Sequence, residues 1–132
     1  MERMNSRISV LVADDSRTAM TSVCRFLESD GRFEIIGTAS NGVQLLRQAR
    51  NSCPDLVLVD LSMPQMNGFE AAIQLRKLFP DLQILIFSGL SGASLEQECM
   101  RSGANGFVEK DLMPEKLLQE VSRLFPDGRS QN

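Results

Sequence analysis

Five short apolar runs, each stopped by polar residues, constrain this chain more than any other feature of it. ISVLVA (8–13) ends at Asp14 and Asp15, LVLV (56–59) at Asp60, ILIF (84–87) at Ser88 and FVE (107–109) at Lys110. A fifth run, FEIIGTA (33–39), ends at Ser40 and Asn41. Runs so short and so rich in β-branched residues read as strands buried on both faces, the habit of parallel sheets. Parallel strands all finish at one edge, and open α/β sheets bind ligands in the crevice beyond that edge. If the runs are parallel strands, three carboxylates, a hydroxyl and an ammonium therefore meet in one place.

Helical patterns fill the gaps between the runs. Within 16–29, Met20, Val23, Cys24 and Leu27 follow i, i+3, i+4, i+7 spacing, and Ser29-Asp30-Gly31 stops the helix. A second helix spans 41–50 with Leu45, Leu46 and Ala49 inward, capped by Ser40 or Asn41. A third covers 69–79 and ends at Pro80. The fourth, 94–102, has the thinnest apolar face, Leu95, Cys99 and Met100, with Gly103 as its C-terminal stop. The fifth starts at Pro114 and turns Leu117, Leu118, Val121, Leu124 and Phe125 inward. The predicted strands are 8–13, 33–39, 56–59, 82–87 and 106–109. The alternation is (βα)5, an α/β fold with helices on both faces of a parallel sheet and right-handed crossovers. With five strands the flavodoxin-like order 2-1-3-4-5 follows. It sets strands 1 and 3 side by side at the switch point, with Asp14, Asp15 and Asp60 as neighbours.

Composition narrows the functions open to such a sheet. At 132 residues the chain is one domain. Fourteen basic against seventeen acidic side chains give a net charge of −3, so no electrostatic case exists for nucleic acid. No segment approaches the ~20 apolar residues of a membrane span, and the first apolar run is too short for a signal peptide. Cys24, Cys53 and Cys99 lack metal-ligand spacing and read as reduced thiols of a cytoplasmic protein. The chain has no histidine, which removes triads, His-metal sites and phosphohistidine chemistry within it.

What remains is an oxygen-rich crevice. Three close carboxylates raise one another's pKa unless a cation sits among them. Oxygen ligands without imidazole or thiolate suit Mg²⁺ or Mn²⁺. Lys110 and Ser88 would face the same phosphate, one as a point charge and one as a hydrogen-bond donor. A carboxylate can itself be the nucleophile, giving an aspartyl phosphate. The set fits phosphoryl transfer to an aspartate. Taken singly, each residue has an ordinary explanation. Asp14 or Asp15 alone is a turn former or helix cap, Asp60 begins a turn, Ser88-Gly89 is a turn, Lys110 is a surface lysine and Phe107 is core. Asp14 and Asp15 together resist that reading, because only one of them can cap. The case rests on the conjunction.

The same residues carry a resemblance. Asp14-Asp15, Asp60 followed by LSMPQMNG, Ser88-Gly89 and the segment from Gly103 to Lys110 resemble, over about residues 7–125, the CheY-like receiver domain of bacterial two-component response regulators. The resemblance implies Asp60 as phosphoacceptor. It implies Asp15, Asp60 and the Ser62 backbone carbonyl as direct Mg²⁺ ligands, with Asp14 acting through water. Lys110 would pair with the phosphoryl group, Ser88 would swing to hydrogen-bond it, and Gly89 would leave it room. Phe107 would be the switch aromatic that turns inward as Ser88 moves, making the fourth helix, fifth strand and fifth helix a two-state surface. Moving such a switch from mostly off to mostly on needs about 5 kcal/mol in favour of the active state.

Further implications follow from the family. The donor is a histidine kinase, a phosphotransfer protein or a small molecule such as acetyl phosphate, docking near Ser16, Arg17 and the first helix. Homodimerisation runs through the fourth-helix to fifth-helix face. Receivers commonly place proline after the lysine, whereas here Asp111 follows, as in NarL/LuxR-type receivers, whose full-length members carry a C-terminal helix-turn-helix. The expectation is a receiver over 7–125 and a flexible tail or interdomain linker over 126–132, a fragment of a longer transcriptional regulator rather than a stand-alone receiver. Two other classes compete. A turnover phosphatase often carries a second carboxylate two residues after its nucleophile, and Ser62 stands there instead. A binding module that never phosphorylates has no need of the intact Asp14, Asp15, Asp60, Ser88 and Lys110 set.

Overall fold

The computed structural model describes residues 7–126, so the tail expected over 126–132 lies, apart from Pro126, outside the described residues. Strands β1 (Ile8–Ala13), β2 (Phe33–Ala39), β3 (Leu56–Asp60), β4 (Gln83–Ser88) and β5 (Gly106–Glu109) alternate with helices α1 (Arg17–Asp30), α2 (Gly42–Ser52), α3 (Gly68–Leu78), α4 (Ala93–Arg101) and α5 (Glu115–Leu124). All strand pairs are parallel and the order is β2-β1-β3-β4-β5, as the alternation predicts. Each predicted helix is present to within two residues of its expected ends.

The sheet divides the core in two, and strand parity decides which half each residue enters. Ile8, Val10, Val12, Leu56, Leu58, Leu85, Phe87 and Val108 pack with Val23 and Leu27 of α1 and Leu117 and Val121 of α5. Their alternates Leu11, Ala13, Val57, Val59, Ile84, Ile86 and Phe107 pack with α2, α3 and Cys99 of α4. Burial of this kind is worth about 25 cal/mol per Å² of apolar surface. Because β1, β3 and β4 are covered on both sides, it also explains their unbroken apolar runs.

Caps set the helix starts at the site edge. Ser16 caps α1 by accepting from the Ala19 N–H at 3.2 Å. Asn41, not Ser40, caps α2. Gly31 stops α1 at φ 91°, a left-handed conformation that a glycine adopts without steric cost. Gly103 follows the Ser102 C-cap of α4 at φ 99°. In α4 only Cys99 is buried, and Met100, expected inward, is 55% exposed. In α5, Leu118 and Leu124 are half-buried, while Leu117, Val121 and Phe125 reach the core. A 3₁₀ turn, Lys110–Leu112, precedes α5 and has no counterpart in the sequence reading. Pro114 caps α5 after a cis Met113–Pro114 peptide. Among the described residues no helix is long and apolar enough to cross a membrane.

Candidate phosphoryl-acceptor and metal site

Parity carries past the strand ends into the site. Val10 and Val12 lead to Asp14, Leu58 leads to Asp60, and Val108 leads to Lys110, all on the α1/α5 side of the sheet. Asp14 and Asp60 are 1% and 4% exposed. Asp14, Asp15 and Asp60 each offer an oxygen, and these atoms lie within 4.8 Å of one another. Lys110 Nζ stands 3.3 Å from Asp14 Oδ2 and 3.3 Å from Asp60 Oδ1, with its ammonium 5.2 Å from the centre of the Phe87 ring.

Neither aspartate of the acidic pair is the helix cap, since Ser16 has that role. Asp14 Oδ1 instead accepts the Ser16 N–H at 2.8 Å while Oδ2 meets Lys110, so the turn itself fixes the carboxylate. Asp15 is exposed and open to the crevice.

The electrostatics follow from crowding. Burial, and then Asp14 beside it, push the Asp60 carboxyl up to about 6, against the opposing pull of Lys110 and the Ser62 N–H. For Lys110, burial pulls downward, but Asp60 and Asp14 outweigh it and its pKa sits above the ordinary lysine value. Three carboxylates facing one ammonium leave negative charge uncompensated. The donor set is oxygen only and half open to solvent. It fits a hard divalent cation such as Mg²⁺ and does not fit zinc.

Ser88 is placed differently. It ends β4 in the Ile84, Ile86 parity, on the α3/α4 side, 2% exposed, and its Oγ accepts the Leu90 N–H at 2.9 Å. Its oxygen is thus engaged by the Leu90 backbone, while its O–H stays able to donate. A methyl group on Gly89 would meet nothing within 4 Å, so room at that position does not depend on the glycine in this conformation. Phe107 is 9% exposed and already packed in the cluster that holds Cys99, with Leu95 against it. The inward aromatic thus coexists with a Ser88 hydroxyl turned to Leu90. Sequence parity, counted along β4 and β5, would have separated Ser88 and Phe107 from the aspartate side in advance.

Two features beside the site were not read from the sequence. A groove of about 300 Å³ runs between α1 and the turn before α5, walled by Ala19, Val23, Phe26, Met113 and Pro114 and floored by Phe87 and Lys110. The loop after Asp60 closes onto α3 through a capping box: Asn67 Oδ1 accepts from the Glu70 N–H and Glu70 Oε1 from the Asn67 N–H, each at 2.9 Å. The S/T/D/N-x-x-E signal for it, Asn67-Gly-Phe-Glu70, stood in the sequence behind the Asn-Gly turn.

Residues 10–122 match the response regulator receiver domain family. A protein-glutamate methylesterase/protein-glutamine glutaminase from Clostridium acetobutylicum is 38% identical over 123 residues, 92% of this chain and 34% of that protein. The structure of a two-component response regulator of the LuxR family from Aurantimonas superposes with a TM-score of 0.87 at 25% identity, covering 96% of this chain and 90% of that one. A chain of the CheX-CheY-BeF3-Mg²⁺ complex from Borrelia burgdorferi superposes with a TM-score of 0.84 at 28% identity, covering 89% of each chain. The chain spans about a third to three fifths of the length of the curated relatives it matches.

Proposed function

The chain belongs to the response regulator receiver domain family, and from that premise we propose that residues 7–125 accept a phosphoryl group on Asp60 and signal through the α4-β5-α5 surface. A receiver domain is a phosphorylation switch and not a turnover enzyme. The observation that carries the reading is the triad of carboxylates within 4.8 Å with Lys110 bridging Asp14 and Asp60.

The proposed residue roles are those the resemblance implies, supported by the geometry of the carboxylates and Lys110. Asp60 is the nucleophile: one carboxylate oxygen bonds to the phosphorus of the donor, and the bond to the donor's leaving atom breaks, leaving that electron pair on the donor. Lys110 is 3.3 Å from the attacking group and balances the charge spread over the transferred oxygens. Asp14, held by the Ser16 N–H and Lys110, fixes the lysine. Asp15, Asp60 and the Ser62 carbonyl are proposed to hold Mg²⁺ or Mn²⁺, with Asp14 acting through water. When bound, the ion neutralises charge on the phosphoryl oxygens and relieves the carboxylate crowding. Ser88 would leave Leu90 to hydrogen-bond the phosphoryl group. Since Phe107 is already inside, the change falls on Ser88, Gly89 and the start of α4 rather than on the aromatic.

Receiver domains take their phosphoryl group from kinases. Without a histidine of its own, the chain needs an outside donor, proposed as a histidine kinase or phosphotransfer protein. The groove beside Lys110, walled by Ala19, Val23 and Phe26 of α1, offers it an apolar seat on the first helix. The output is proposed as that of a cytoplasmic LuxR/NarL-type transcription regulator, on the likeness to the LuxR-family structure and on Lys110-Asp111. A second reading has the methylesterase relative behind it, in which the same switch governs an enzymatic output domain. Homodimerisation through α4-β5-α5 accompanies the first reading.

The test is intact-protein mass after incubation with acetyl phosphate, with and without Mg²⁺. Wild type gains one phosphoryl group only with Mg²⁺, and Asp60→Asn gains none. Labelling that survives Asp60→Asn would overturn the assignment.

A further inference from the structure

The 61–67 loop leaves β3 at Asp60 and returns to start α3, carrying Ser62 with it. Two glycines let it close. Gly68, the first residue of α3, lies against the end of β3: a Cβ there would stand 2.8 Å from the Asp60 carbonyl oxygen and 2.8 Å from Leu61 Cα. Both are backbone atoms, which cannot swing aside as a side-chain end can. The Gly68 N–H also donates to the Leu61 carbonyl at 2.8 Å, and the Leu61 N–H to the Phe87 carbonyl at 2.9 Å. On its far side the loop seats Met66 against Gly42, the first residue of α2. A Cβ on Gly42 would stand 2.7 Å from Met66 Cβ and 2.9 Å from its Cγ and Sδ. Met63 of the same loop is buried in the core on the α2/α3 side.

We propose that Met66, seated in the notch left by Gly42, is a positioning residue for the divalent cation: the pair holds the 61–67 loop, closed at its other end by Gly68, so that the Ser62 carbonyl stays available to the ion held by Asp15 and Asp60. This rests on the reading of Asp60 and Mg²⁺ given above. The physical reason is rigidity. Mg²⁺ demands near-ideal octahedral geometry, and a backbone carbonyl is a useful ligand only if its loop cannot drift. Neither Met66 nor Gly42 touches a carboxylate, so each acts through the loop alone. Outer-shell groups hydrogen-bonded to a ligand typically change metal affinity about 10- to 100-fold, and a packing support acting through the loop belongs at the low end of that range.

The experiment titrates Mg²⁺ chloride calorimetrically into wild type, Met66→Ala, Gly42→Ala and Asp60→Asn, with thermal unfolding of each recorded in EDTA. Met66→Ala is expected to weaken Mg²⁺ binding by about tenfold. Its labelling by acetyl phosphate should slow at low Mg²⁺ and recover when Mg²⁺ saturates, a split that lost packing alone does not produce. Gly42→Ala, which pushes the loop from the other side, should show the same split. Unchanged Mg²⁺ affinity in both variants, with only a lower unfolding temperature, would reduce these residues to packing and overturn the proposal. Absence of Mg²⁺ binding in wild type, or undiminished binding in Asp60→Asn, would instead overturn the metal reading on which it rests.

Discussion

Helix α3 leaves the site edge through a reciprocal capping box and buries Gly68, Ala71, Ala72 and Leu75, whereas α4 starts at Gly92 with no side-chain cap and buries Cys99 alone. Both begin at the same edge of the sheet, a few residues after a strand that ends in a functional side chain. The first is fastened along its length and holds Asp60 and its loop still. The second is fastened chiefly toward its C-terminal end, where the Cys99 Sγ–H donates to the Gly106 carbonyl at 3.3 Å and Arg76 Nε donates to the Gly103 carbonyl at 3.0 Å, with Leu95 only partly buried against the core. Local stability follows buried apolar contact and satisfied backbone groups. The crevice is therefore built with one well-packed wall, beside the proposed acceptor Asp60, and one sparsely packed wall, beside Ser88.

Core truncation gives the widest separation between the two walls. Leu75→Ala, at a fully buried position of α3, is expected to cost about 2–5 kcal/mol. Met100→Ala, more than half exposed on α4, should change stability by no more than about 0.5 kcal/mol. Chemical denaturation of the two variants checks this. A costly Met100→Ala would mean that α4 is covered by more than the described contacts provide.

Capping is the next lever. Asn67→Ala removes one half of the box and is expected to cost about 1 kcal/mol, read in the denaturation midpoint. Hydrogen exchange sharpens the same contrast: amides of 93–96 should exchange well ahead of those of 70–73 in wild type, and Asn67→Ala should narrow the gap by speeding the α3 amides. Equal exchange in the two helices of wild type would remove the basis for calling one wall loose.

The contrast was half visible in the sequence. Periodicity marked out the five strands and five helices, because apolar alternation is a property of each segment alone, and the order of the sheet came from the flavodoxin-like pattern that five alternating βα units adopt. The thin face of α4 was visible too, although Met100 was assigned to it: 95, 99 and 100 fit one helical stripe on paper, but the helix is too short and too shallowly seated to bury all three. The convergence of Asp14, Asp15, Asp60 and Lys110 was legible because parallel strands end together. The opposite parity of Ser88 at the end of β4 was equally present in the period of two, but reading an edge as a single place hides which face each side chain takes. Long-range polar pairing left no local trace. Arg76 donates to the carbonyls of Phe79, Pro80, Leu82 and Gly103 and, at 2.8 Å, to Asn105 Oδ1, which also accepts the Ile84 N–H. Ser9 and Asp55 exchange backbone and side-chain bonds across 46 positions. Such contacts depend on where two loops come to lie, and residue type does not announce them.

The smallest expected effect concerns the one buried anchor of α4. Burial, with Glu96 and Glu120 adding to it, pushes the Cys99 thiol up from 9.0 to about 12. The unfolded chain ionises this thiol from near pH 9, while the folded chain holds the proton until about 12. Between those values the unfolded state binds fewer protons, so stability falls as pH rises; below pH 9 the thiol is protonated in both states and contributes no slope. Cys24 is shifted in the same direction, by burial and then Glu28, and adds to the same limb. Cys99→Ala should therefore flatten, without abolishing, the fall in urea midpoint between pH 8 and 10.5. If α4 is the loose wall, wild type should also lose protection at the amides of α4 before those of α3 across that range, because opening α4 breaks the Cys99 Sγ–H bond to the Gly106 carbonyl and lets the freed thiol ionise. A slope identical in wild type and Cys99→Ala would show that α4 opens to solvent so readily that its cysteine is never held away from water, a looser wall than its one buried contact implies.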